Sequence, residues 1–162
     1  MKLWNDENPF PPFASLSYAP DVKYITAHSM DENGYHFLLG AAVVKYGGAL
    51  RVSFANSLRN ENDDQTRLVE CVSFDEGKTW KEHIIADTKN GYGRSHGVYF
   101  PYNDRLYVFC PRARYDKIDR YPELKMEIYC LNENGEYDCL GVALESDFGL
   151  CANLFPWMTV DL

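Results

Sequence analysis

The sequence predicts an all-β protein, and three observations carry that prediction. From residue 35 onward short β-rich runs alternate with turn signals, and no amphipathic helical pattern lasts the roughly ten residues a helix needs. The same run-and-turn pattern then recurs 56 to 58 residues further on, which points to a repeated β unit.

The elements follow in order. HFLLGAAVVKY (36–46) and ALRVSFA (49–55) are β runs joined by Gly47-Gly48, a pair that favours a tight hairpin. NSLRNENDDQ (56–65) is too polar for anything but a surface loop. TRLVECVSF (66–74) and KEHIIA (81–86) complete a four-strand meander, with SFDEGKTW (73–80) as the turn between them. YNDRLYV (102–108) repeats YGGALRV (46–52), 56 residues on, with hairpin and strand in the same places. Glu133-Asn134-Gly135 follows the run LKMEIYCL (124–131) and aligns with Asp75-Glu76-Gly77 at an offset of 58. Two meanders are expected, over 35–90 and 91–147, with a third beginning in 148–162 at NLFPWMTVDL. Residues 1–34 form an extension, in which DVKYITAH (21–28) could be a strand.

The bulk numbers exclude several functions. At 162 residues and 46% hydrophobic the chain can bury a core. Its 16 basic against 24 acidic residues leave a net charge of −8, which argues against a nucleic-acid or anionic-membrane partner. The start, MKLWNDENPFPPF, places acids and prolines where a secretory peptide needs a basic patch and an apolar run. No window reaches the roughly 18 apolar residues of a membrane helix. The expected location is cytoplasmic as the chain stands, or secreted if its N-terminus is incomplete. Cys71, Cys110, Cys130, Cys139 and Cys151 are odd in number and show no CxxC pair and no His at zinc spacing. They read as small buried thiols on strands, with Cys110 and Cys130 placed to be neighbours. No metal and no organic cofactor is expected.

SFDEGKTW satisfies SxDxGxTW at Ser73, Asp75, Gly77, Thr79 and Trp80. Asp75 can accept hydrogen bonds from turn amides, Gly77 can take a positive φ, and Trp80 can cover the hairpin with apolar area. On this Asp box and the repeat, residues 35 to 162 resemble the sialidase-like, or Asp-box repeat, family of β-propellers. The resemblance implies a partial propeller of four-stranded antiparallel blades: the first with the box, the second with a degenerate box, and the first strand of a third. It also implies that the box locks the blade on the face opposite the active site, so Asp75 is structural and not a catalytic carboxylate. An incomplete ring leaves sheet edges open to self-association, unless the chain is part of a longer propeller.

In that family the ligand face is built by loops leading into each first strand and by loops joining second to third strands. Here those loops hold Asn56, Arg59, Glu61, Asn62, Asp63 and Asp64, then Arg94 and His96 in NGYGRSHGVYF (90–100), then Arg112, Arg114, Tyr115 and Asp116 in PRARYDKIDRY (111–121). Arg59, Arg94, Arg112 and Arg114 suit a carboxylate-bearing sugar, because guanidinium groups clamp carboxylates bidentately. The competing reading pairs Arg112 or Arg114 with Asp116 or Glu123 at the surface, and makes His96 a hydrogen-bonded structural residue. His28, His36 and His83 are assigned no role, and His83 is expected to be solvated.

The resemblance implies a carbohydrate-active protein of glycoside-hydrolase type, acting on sialic or uronic acid-containing oligosaccharides or polysaccharides. A non-catalytic glycan- or protein-binding propeller module, or an inactive truncated fragment, is the alternative. Residues 1–50 contain no arginine, so the family's first substrate arginine has no counterpart, and Arg94, Arg112 and Arg114 do not match the family's triad motif. A uronate lyase needs a base for the proton α to the carboxylate and a cation for the resulting charge. His96 and Tyr115 are the catalytic candidates of the right type, beside Arg94.

Overall fold

The computed structural model describes residues 23–31, 34–60, 63–114 and 123–145. Among these the protein is all-β, without a helix, and its strands form two antiparallel sheets. The first sheet is a meander of β1 (Phe37–Tyr46), β2 (Ala49–Ser57), β3 (Arg67–Ser73) and β4 (Lys81–Ala86), in sequence order. The second contains β5 (Gly93–Arg94), β6 (Val98–Tyr102), β7 (Arg105–Ala113), β8 (Lys125–Leu131) and β9 (Tyr137–Glu145). β5 and β6 both pair with β7, at its end and its start respectively, so they are one edge strand interrupted at Ser95–Gly97. The expected strand at 153–162 lies outside the described residues, and residues 23–31 form no strand.

Turn chemistry sets the registers. Gly47 and Gly48 both have positive φ, 59° and 74°, and close a two-residue hairpin with Tyr46 opposite Ala49. That backbone matches the right-handed twist of the strands it joins. Asn103 and Asp104 do the same between Tyr102 and Arg105, at φ 46° and 56°. The Tyr46 hydroxyl donates to the Asp104 carbonyl at 2.6 Å and ties the two hairpins together.

The turn between β3 and β4 is held by its own side chains. Asp75 Oδ1 accepts from the Ser73 hydroxyl at 2.8 Å and the Thr79 amide at 2.9 Å, and Oδ2 accepts from the Thr79 hydroxyl at 2.7 Å. The Gly77 amide donates to Ser73 Oγ at 2.7 Å. Hydrogen bonds from Thr79, backbone first, favour the ionised form and lower the Asp75 pKa to about 2. Gly77 sits at φ 84°, and a Cβ there would meet Ile25 at 3.0 Å. In the second sheet the corresponding turn is capped by Asn132, whose Oδ1 accepts from the amides of Asn134 and Glu136, both at 3.0 Å. Glu133, the residue that aligns with Asp75, is exposed.

The core lies between the sheets. Leu68, Ile85 and Ala86 of the first pack on Val108, Cys110 and Tyr129 of the second. Gly97 lets the backbone come this close, since a Cβ there would stand 2.6 Å from Leu68 Cδ2 and 2.8 Å from Val108 Cγ1. The other face of the first sheet, built on Phe54, Val69 and Cys71, is covered by Ala27 and Trp80. β3 is therefore buried on both sides, which accounts for its run of apolar residues.

One charged residue interrupts that run. Glu70 has no exposed surface, and three groups converge on its carboxylate. Arg51 Nη1 lies 2.8 Å from Oε1, and the hydroxyls of Tyr99 and Tyr137 donate to Oε2 at 2.9 and 3.0 Å. Both tyrosines belong to the second sheet, so the carboxylate bridges the sheets. Burial, then the charge of Glu70, raises the pKa of each phenol and keeps it a donor.

The thiols divide. Cys71, Cys110 and Cys130 are buried as expected, but Cys139 is exposed on β9, which among the described residues is the edge strand of its sheet. Cys110 and Cys130 are on adjacent strands yet face Glu127 and Tyr107, so they do not oppose each other. Cys151 lies outside the described residues. His83 is half-buried rather than solvated, because it is paired with Glu70 across the β3–β4 ladder.

Candidate functional site

The end of β2, the start of β3, the start of β5, the end of β7 and the start of β8 share one end of the sheets, and the turn at 73–80 is at the other. Close backbone approach unites that end. The Arg94 amide donates to the Thr66 carbonyl at 2.7 Å, and a Cβ on Gly93 would stand 2.9 Å from the Asp63 carbonyl oxygen. Arg59, Arg94, Arg112 and Arg114 lie in or next to these segments.

The four arginines have different surroundings. Arg59 is exposed, and its Nε lies 3.2 Å from Asp63 Oδ2. Asp63 is itself held by the Gln65 amide at 2.9 Å. Arg94 is buried instead of facing solvent: its Nε is 2.8 Å from Glu127 Oε2 and its Nη1 donates to the Tyr92 carbonyl at 3.0 Å. Burial works against the charge on Arg94, but the Tyr129 hydroxyl and Glu127 outweigh it and raise the pKa. Arg112 shares the same carboxylate, with Nη1 3.4 Å from Glu127 Oε1, and keeps 22% of its side chain exposed. Its Nε is buried without a hydrogen-bond partner. Arg114 is exposed.

Two guanidinium groups therefore meet one carboxylate. Tyr92 extends the rim: the Arg112 guanidinium lies over its ring, 4.6 Å from the centroid, and its hydroxyl donates to Glu123. The hydrogen bond to Glu123 raises the Tyr92 pKa, while Arg114 and Arg112 pull it down, so both arginines project their field on this ring. Beneath them the Tyr129 hydroxyl donates to Glu127 Oε2 at 2.7 Å. Burial, opposed by Arg94 and reinforced by Glu127, pushes the Tyr129 pKa up, so at neutral pH this phenol is a donor and not a nucleophile.

Among the described residues the acid that pairs Arg112 is Glu127, while Glu123 accepts from Tyr92; Asp116 lies outside the described residues. Glu127 and Tyr129 were missed because they read as interior positions of the run LKMEIYCL. The available signal was the acid itself, since an ionised side chain in an apolar strand requires a buried partner.

His96 is half-buried in the interruption between β5 and β6, with Nδ1 3.1 Å from Ser95 Oγ. Its ring packs against the bulge of β1, where a Cβ on Gly40 would lie 2.4 Å from His96 Cβ. Tyr115, with Glu61 and Asn62, lies outside the described residues. A separate apolar cavity of about 320 Å³, bounded by Ile25, His28, Leu38, Gly40 and Phe54, has none of the four arginines in its lining. Among the described residues no helix is long and apolar enough to cross a membrane. The chain matches no protein-family model and no curated protein at a significant level.

Proposed function

We propose that this chain is part of a sialidase-like, carbohydrate-active propeller, and that its share of the function is to take the carboxylate of an acidic glycan at Arg112 and Arg114. The observation that carries the reading is the pair of arginines on one carboxylate. Glu127 neutralises one charge, Arg94 is spent inside, and Arg112 keeps 22% of its side chain exposed. An incoming carboxylate would complete a two-cation, two-anion arrangement at a partly dehydrated surface, where charge-assisted hydrogen bonds are strongest. The two four-strand meanders packed face to face and the self-capped Asp-box turn support the blade reading.

The same geometry favours recognition over chemistry for the residues near Glu127. Tyr129 is buried and its pKa is raised, so it gives no nucleophile at neutral pH. His96 is the described residue left as an acid/base candidate of the glycosidase or uronate lyase, in a ring that further blades would complete.

Binding of a sialylated trisaccharide and an oligouronate, each beside its methyl ester, tests the reading by calorimetry. A charge-assisted hydrogen bond contributes about 1.5–3 kcal/mol, so the free acids should bind roughly 10–100-fold more tightly than the esters. The combined Arg112→Ala and Arg114→Ala variant should lose that preference. Equal binding of acid and ester by the parent, or an undiminished preference in the variant, would overturn it.

A further inference from the structure

A second cluster, remote in sequence from the arginines, joins the 23–31 segment to the outer face of the first sheet. Cys71 on β3 and Glu82 on β4 are direct partners across the antiparallel ladder, so their side chains leave the sheet on the same side. His28 reaches that side too, its ring tilted by 35° against that of Phe54 with centroids 4.8 Å apart. Donor atoms of all three residues lie within 4.8 Å of one another, and His28 Nδ1 is 3.1 Å from Glu82 Oε2. Ligands of a tetrahedral ion at zinc distances are about 3.3–3.8 Å apart, so a donor separation of up to 4.8 Å closes by about 1 Å on binding. The other ring nitrogen, Nε2, is buried with no hydrogen-bond partner, which hydrogen bonding within the protein leaves unexplained.

From this geometry we propose that His28, Cys71 and Glu82 bind one zinc-type divalent ion. A thiolate, an imidazole and a carboxylate select a borderline-soft cation over calcium or magnesium, whose preferred ligands are all oxygen. The thiolate and carboxylate together supply two negative charges and so neutralise the ion. Binding forms the Sγ–metal bond as the Cys71 thiol gives up its proton to solvent, with no change of oxidation state. Cys71 is almost wholly buried whereas Glu82 is 41% exposed at its side chain, so the fourth coordination position opens to water on the Glu82 side. Arg67 Nη2, 3.9 Å from Glu82 Oε1, lies on the other oxygen and orients the carboxylate. The ion clips the 23–31 segment to β3 and β4, over the core face of Phe54 and Val69. The ligand positions 28, 71 and 82 match no zinc spacing, because the site is assembled by strand pairing and one crossing segment.

The test uses the full chain, freed of metal with a chelator and titrated with zinc and then with cobalt(II) as a spectroscopic probe. The expected result is one equivalent of zinc, a raised melting temperature on binding, and a thiolate-to-cobalt charge-transfer band that is absent from Cys71→Ser. His28→Gln and Glu82→Gln should weaken zinc by no less than the about 10–100-fold that loss of an outer-shell partner costs. Cys71 is a core residue, so these two variants decide the matter if Cys71→Ser fails to fold. Absence of stoichiometric uptake by the parent, a charge-transfer band that survives in Cys71→Ser, or parent-like zinc affinity in both His28→Gln and Glu82→Gln would overturn the proposal.

Discussion

Replacing Glu70 by alanine strikes the bridge between the sheets. The wild-type carboxylate has no exposed surface and accepts from Arg51, Tyr99 and Tyr137. Its removal strands Arg51, a residue only 7% exposed, and leaves two phenol hydroxyls without their acceptor. Removing one partner of a buried ion pair costs about 3–5 kcal/mol, and the phenols share that loss rather than adding to it in full. For a chain of this size each kcal/mol moves the melting temperature by about 2–4 °C, so Glu70→Ala should melt roughly 6–20 °C below the parent. Thermal and urea unfolding followed by near-ultraviolet circular dichroism would measure it. The combined Arg51→Leu and Glu70→Leu variant leaves no uncompensated charge and should recover part of the loss. The reasoning is refuted if Glu70→Ala unfolds within about 0.5 kcal/mol of the parent, the range of ordinary surface changes, or if the double variant is less stable than Glu70→Ala.

Two further outcomes follow from local geometry. A group with a depressed carboxylate pKa binds its proton more tightly in the unfolded chain, so its stabilisation is complete above the unfolded value and lost as pH falls through the folded one. For Asp75 that window runs from the ordinary value near 3.8 down to about 2, and the gap in melting temperature between the parent and Asp75→Asn should narrow across it; a gap constant from pH 5 to pH 2 would contradict the assignment. Gly97→Ala pushes a methyl to 2.6 Å from Leu68 and 2.8 Å from Val108, an overpacking expected to cost about 1–3 kcal/mol in urea unfolding, whereas unchanged stability would mean the sheets separate freely.

The strands were legible because each is a short β-rich run ended by turn chemistry that admits one geometry. Gly47-Gly48 and Asn103-Asp104 supply the positive φ of two-residue hairpins, and β3 and β4 follow the runs 66–74 and 81–86 closely. The interruption at Ser95–Gly97 was not legible, since it is imposed by the bulge of β1 and the inter-sheet core that meet there. Arginines on the loops could be read as ligand residues, but the acid that divides them into buried Arg94 and rim Arg112 is Glu127, fifteen residues beyond Arg112 in the chain and on a neighbouring strand. Glu70 drew its phenols from 29 and 67 residues away for the same reason. Local pattern specifies strands and turns; the partner of a buried charge depends on which strands meet.

The central claim is that the rim arginines, not the buried one, receive an anionic sugar. Nitrogen-15 spectra of the arginine Nε–Hε groups, recorded while the chain is titrated with a glucuronate oligosaccharide, test it most directly. The account predicts saturable shifts at Arg112 and Arg114, little change at Arg94 under its pairing with Glu127, and no such shifts with the methyl ester. Shifts of equal size with acid and ester, or shifts confined to residues at the Asp-box end of the sheets, would contradict it.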